Sequence, residues 1–225
     1  MSALPTTTLM TPAQRRAFIE AQTAIAAPPL TPEIRLHLAT EITPIWQATE
    51  ATLEANNLPP PYWAFAWPGG QAVSRLLLDR PDWVKGKRVL DFAAGSGLSA
   101  IGAAMAGAAR VEAAEIDDFA IAAMLLNAEL NRVTIEVLRH DIVGRSEGWD
   151  VVVAGDVCYE RPMAERVIPW LRGLAGNGVT VLLGDPGRAY LPAQGLVEVA
   201  RYTVPTSKEL EDRELRETRV LRLMP

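Results

Sequence analysis

The chain is poor in the residues that bind metals or cross-link. It has one cysteine, Cys158, and two histidines, His37 and His140. A lone thiol forms no intramolecular disulfide and no thiolate metal site, and two histidines make no metal cluster. This composition predicts a reducing, cytoplasmic setting. Long apolar runs are missing too. The longest uncharged stretch of small or apolar residues, Leu98 to Ala109, is too short and too rich in glycine and alanine to span a bilayer. Met1 to Thr11 is polar and threonine-rich, without the apolar centre of a secretory signal. Nor is there a cationic surplus: the net charge is −5, and only three of the 22 basic residues are lysine. Nucleic-acid binders usually carry a basic face, so the balance speaks against such a partner and suits a basic polypeptide better. Repeats and low-complexity segments are absent.

What remains is a chain of 225 residues, 49% hydrophobic and 22% charged, enough for one well-packed domain with an N-terminal extension. We divide it into an extension over 1–58 and a main domain over 59–225. The main domain is organised around Arg88-Val-Leu-Asp-Phe-Ala-Ala-Gly-Ser-Gly97. A short apolar run ends in a carboxylate, a glycine-rich turn follows, and Leu98 to Ala106 reads as a small-residue helix. Strand, turn and helix open a βαβ unit in which Gly95 and Gly97 let a ligand lie close to the backbone. No lysine follows, so the turn is not a phosphate-cradling P-loop. Asp91 would repel a pyrophosphate but attract an ammonium, which favours S-adenosylmethionine over a dinucleotide. The next strand, Arg110 to Ala114, leads into Glu115, about 20 residues after the turn, where ribose hydroxyls are gripped. The pair is a stronger signal than either alone; by itself the turn could be a bare strand-to-helix corner.

Along the rest of the chain, apolar spacing predicts a helix over Pro12–Ala26, an extended stretch over Leu30–Leu38 and a second helix over Pro44–Ala55. Tyr62, Trp63, Phe65 and Trp67 then crowd a proline-bounded segment that either plugs a core edge or walls a ligand cleft. Gly69-Gly70 permits close approach, and Gln71 to Asp79 resumes as helix. Phe119–Asn131 and Pro162–Leu174 read as covering helices. Strands are expected at Ile135–Leu138, Trp149–Gly155, Val179–Gly184, Val197–Thr203 and Thr218–Leu223, with Ser207–Glu217 as a solvated, charged connector. Asp141 is either a turn former or a third strand-end acid. Alternating strands and helices imply an α/β fold: a doubly wound, Rossmann-like, seven-stranded sheet that closes on a C-terminal antiparallel hairpin.

Four segments, Pro59–Ala72 (PPPYWAFAWPGGQA), Leu90–Gly97 (LDFAAGSG), Gly155–Glu160 (GDVCYE) and Gly184–Arg188 (GDPGR), resemble the seven-β-strand S-adenosylmethionine-dependent protein-lysine methyltransferases. Within these, they are similar to the group acting on the electron-transfer flavoprotein β-subunit. The likeness runs from about Leu30 to the C-terminus. It departs from the wider superfamily pattern at Ala93, which stands where the first glycine is usual. The resemblance implies that Asp91 receives the methionyl ammonium, Glu115 the ribose hydroxyls and Asp141 the adenine amino group, with Trp67, Gly69, Gly95 and Gly97 bordering the cofactor. It implies catalytic roles for Asp156, orienting the incoming nitrogen, and Tyr159, walling the lysine channel. On residue type alone Asp156 has a helix N-cap and Tyr159 a core aromatic as the alternative reading, and Cys158, with no evident base partner, reads as a buried small residue. Rival readings are an amino-group methyltransferase acting on nucleic acid or a small amine, a dehydrogenase, and a non-catalytic cofactor-binding module.

Overall fold

A computed structural model describes residues 10–39 and 60–225. The expected helix over Pro44–Ala55 lies outside the described residues. Helix α1 (Pro12–Gln22) starts at a capping box: Thr11 Oγ1 accepts from the Gln14 amide while the Gln14 side chain accepts from the Thr11 amide. It stops four residues short of Ala26, correcting the sequence reading. Residues Ala24–Ala26 (β1) instead pair antiparallel with Leu36–Leu38 (β2). The helical spacing of Ala21 and Ile25 was outweighed by antiparallel pairing with a segment 10–14 residues further on. Ile25 is left 48% exposed.

The main sheet is built from β3 (Arg88–Phe92), β4 (Arg110–Ala114), β5 (Glu136–Leu138), β6 (Val151–Gly155), β7 (Thr180–Asp185), β8 (Leu196–Pro205) and β9 (Leu215–Leu223). Their order is β5-β4-β3-β6-β7-β9-β8; the first five run parallel, and β9 pairs antiparallel with both β7 and β8. Strands buried on both faces explain the near-continuous apolar runs. Val89, Val153 and Leu182 point into one core with α2 (Pro68–Asp79), α3 (Leu98–Met105) and α4 (Asp118–Leu130). Their neighbours Leu90, Val152 and Val181 point into the other, beneath α5 (Arg161–Gly176).

Helix α2 begins at Pro68 itself, since proline at the first helical position loses no intrahelical bond. Its N-terminal glycines allow an unusually close seat on the sheet. A Cβ on Gly184 would fall 2.1 Å from the Gly69 oxygen, and one on Gly155 would fall 2.6 Å from the Gly70 nitrogen.

The charged connector after β8 is a correction as well. It contains a short helix, α6 (Lys208–Glu211), and its Glu211 is only 4% exposed rather than solvated. The chain enters the sheet at its centre, winds outward through β4 and β5, then returns to β6 on the other side of β3. Ligands bind beyond the carboxyl ends of strands at such a reversal.

Candidate active site

A cavity of about 700 Å3 opens there, bounded by the ends of β3, β4 and β6, by the first turn of α5 and by the aromatic segment before α2. Asp91, Glu115, Asp141, Asp156 and Tyr159 all line it. They come together because parallel strands end on a common edge.

Asp91 is 2% exposed, and one carboxylate oxygen accepts from the Ala100 amide of α3 at 2.9 Å. Its other oxygen has no hydrogen-bond partner among the described residues. Burial, less the help of that amide and with Glu115 nearby, pushes its carboxyl up to about 7. A buried acid this poorly satisfied is set to receive a cation. Glu115 is better held: it accepts from the amides of Gly95 (3.0 Å), Ile116 (2.7 Å) and Asp117 (3.1 Å). Three backbone donors fix the carboxylate, and two oxygens carry more lone pairs than these use.

The glycine turn keeps left-handed backbone at three alternate residues, Ala93 (φ 54°), Gly95 (φ 52°) and Gly97 (φ 78°). Ala93 therefore adopts the glycine conformation in spite of its Cβ. Gly95 faces the cavity with open space at its Cβ position, but Gly97 lies behind the wall, where a Cβ would strike Met124 at 2.6 Å. Gly69 is likewise set back. Its amide donates to Asp156 at 2.6 Å and its missing side chain serves the helix-on-sheet contact, while Gly70 lines the cavity.

The aromatic segment plays both roles the sequence left open, since Tyr62, Trp63, Phe65 and Trp67 all line the cavity. Trp63 and Phe65 are buried, Trp63 stacking on Phe119 with centroids 6.4 Å apart. Tyr62 and Trp67 are less buried, and Tyr62 packs on Tyr159 at 5.6 Å. Tyr159 is 37% exposed, so it is no core residue, and burial pushes its phenol up to about 12. Asp141 sits at the rim. It accepts from the Val143 amide at 3.0 Å and pairs with Arg166 of α5, which holds its carboxyl below the usual range.

Asp156 is not a helix cap, because α5 begins at Arg161 with Glu160 before it. It follows β6 directly with φ 57° and is 8% exposed. One oxygen takes the Gly69 amide; the other takes Nε (2.9 Å) and Nη2 (2.5 Å) of Arg188. Burial nevertheless raises its carboxyl to about 6, against the pull of Arg188. Arg188 is a residue the sequence reading passed over, although Gly-Asp-Pro-Gly-Arg marked the turn that carries it. The buried Asn127 was passed over too: it accepts from the His37 amide and donates to the Ser96 carbonyl, tying β2 to the glycine turn. Cys158 is buried, its thiol raised to about 12, and so unreactive.

The family model for ribosomal protein L11 methyltransferase matches residues 75–157. A curated relative from Xenopus laevis, the electron transfer flavoprotein beta subunit lysine methyltransferase, is 39% identical over 217 residues, covering 93% of this chain and 87% of that protein. The chain belongs to the electron transfer flavoprotein beta subunit lysine methyltransferase family. The Homo sapiens relative of the same name is 43% identical over 177 residues, covering 77% of this chain and 66% of that protein. For this family the fold has solved counterparts. Magnesium protoporphyrin IX methyltransferase from Synechocystis PCC 6803, solved with bound S-adenosylmethionine, superposes with a TM-score of 0.53 at 15% identity, over 80% of this chain and 88% of that one. Among the described residues no acidic, histidine or cysteine cluster could hold a metal ion, and no helix is long and apolar enough to cross a membrane.

Proposed function

We propose that the chain transfers methyl groups from S-adenosylmethionine to lysine side chains of the electron-transfer flavoprotein β-subunit, in the cytoplasm. The observation that carries the reading is the buried, half-satisfied carboxylate of Asp91 in the same cleft as Glu115. An ammonium against the first and vicinal hydroxyls against the second match the two polar ends of an aminoacyl nucleoside. Charge-assisted bonds of this kind are worth about 1.5–3 kcal/mol each. Asp141 would take the adenine amino group, and Ile142 and Val143 beside it offer an apolar wall for the base.

When bound, the cofactor supplies an activated methyl group together with its leaving group. The protein must then deliver an uncharged amine in line. A lysine amine is about 3 pKa units too basic at neutral pH, which costs about 4 kcal/mol. Asp156, held by Gly69 and Arg188, would orient the nitrogen through its N–H groups, while Tyr159 and Tyr62 wall the approach. Positioning of this sort supplies much of the acceleration.

The relatives' names support this substrate, and the acidic balance of the chain suits a basic protein target. Incubating the purified protein with labelled S-adenosylmethionine and recombinant flavoprotein should label the β-subunit, with mass spectrometry placing one or more added CH2 units on lysine. Label on RNA or on a free small amine, with none on the flavoprotein, would overturn the assignment.

A further inference from the structure

Asp156 is the near end of a chain of ionic contacts that leaves the cavity. Arg188 grips Asp156 with Nε and Nη2, and the same guanidinium donates to Glu211 through Nη2 at 2.5 Å and Nη1 at 3.2 Å. Glu211 in turn accepts from Nε of Arg216 at 3.0 Å. The side chains of Arg188 and Glu211 are 17% and 2% exposed. Buried charges on this scale survive only when paired, and losing one partner strands the other.

The contacts join three distant parts of the chain: the end of β6, the turn after β7, and the tip of the β8–β9 hairpin. Arg188 also lines the cavity and lies with its guanidinium carbon 5.9 Å from the Trp67 ring.

We propose that Arg188 and Glu211 are positioning residues for methyl transfer, acting through Asp156: Arg188 fixes the plane of the carboxylate and keeps it ionised, and Glu211 shares the arginine so that its charge does not fully cancel that of Asp156. The proposal rests on the reading that Asp156 receives the substrate nitrogen.

The charged groups facing Asp156 act in opposed directions. Burial and Asp185, at the end of β7, favour its neutral form; Arg188 and the Gly69 amide favour the anion. Glu211 and Arg216 reach it through Arg188. Removing the arginine therefore makes Asp156 a weaker acid. Removing the charge of Glu211 returns the whole guanidinium to Asp156 and makes it a stronger one.

The test compares wild type, Arg188→Gln, Arg188→Lys and Glu211→Gln by carbon-13 titration of the Asp156 carboxyl. The pH dependence of kcat/KM is measured in parallel on a lysine-bearing protein substrate at saturating S-adenosylmethionine. Saturation keeps Asp91 out of the profile. The alkaline rise of the substrate amine contributes a slope of one, and Asp156 adds a second proton below its own pKa. Arg188→Gln should move both the carboxyl titration and this break upward by about 1–3 pH units. Glu211→Gln should move both downward, and Arg188→Lys should restore most of the wild-type profile. Cofactor affinity should stay within a few-fold throughout.

Shifts of the same sign in Arg188→Gln and Glu211→Gln would overturn the proposal. So would a titration that moves while the rate profile does not. A wild-type protein that methylates no lysine refutes the functional reading instead, and the carboxyl titration alone then decides whether the charges are linked as proposed.

Discussion

Replacing Asp91 by asparagine should stabilise the protein while disabling it. The native carboxyl is raised from 3.8 to about 7, chiefly by burial. The sign follows from linkage. The folded protein holds this proton more tightly than the unfolded chain, so the stability that protonation lends is complete below 3.8 and lost as pH rises through about 7. A displacement of this size amounts to about 4 kcal/mol above pH 7, by the 1.36 kcal/mol per pKa unit rule.

Asparagine removes the charge and keeps an oxygen to accept the Ala100 amide. Its new N–H groups face the cavity with few partners and return about 1–3 kcal/mol of the gain. A net gain of about 2 kcal/mol raises Tm by ~4–8 °C in a domain of this size. Thermal melts of cofactor-free wild type and Asp91→Asn between pH 5 and 8 give the comparison. The difference should be largest at pH 8 and shrink toward pH 5. In wild type, saturating S-adenosylmethionine should flatten the pH dependence, since its ammonium compensates the carboxylate. Its affinity should weaken about tenfold per pH unit on acidification below pH 7, because the proton and the ammonium compete. A variant less stable than wild type at every pH, by a constant margin, would refute the reasoning.

Three further outcomes can be checked. Glu115→Ala should weaken cofactor binding roughly tenfold or more, about 1.4 kcal/mol or above, in calorimetry; an unchanged Kd in a folded variant would remove the ribose assignment. Gly184→Ala should cost about 3 kcal/mol or more in urea unfolding, since its Cβ would meet the Gly69 oxygen at 2.1 Å, the Gly69 carbonyl carbon at 2.7 Å and Val73 at 2.8 Å, and two of these are backbone. Ala93→Gly should stabilise by about 0.5–1 kcal/mol, because Ala93 already sits at φ 54°, a conformation alanine adopts at a cost; a loss of stability would show that its methyl group packs usefully.

The sequence was sufficient for whatever depends on local period and chain order. Val-Val-Val-Ala-Gly at 151–155 read as a strand covered on both faces, and strands alternating with helices made a parallel sheet closed by the β8–β9 hairpin. That Asp91, Glu115, Asp141 and Asp156 would border one cleft followed from the same rule, since each ends or follows a parallel strand. Tertiary structure alone decided what each residue faces. The helical spacing of Pro12–Ala26 could not show that Ala24–Ala26 pairs with Leu36–Leu38, because a period read within one segment carries no information about its pairing with the next. Glycines 69 and 97 looked ligand-facing, as glycines near a ligand turn do, yet they are spent on close backbone and side-chain packing that sequence cannot resolve. Glu211 looked like one more solvated charge; it is buried and paired with Arg188, 23 residues earlier. A desolvated ion pair is a property of two elements in contact, and no single stretch of sequence contains both.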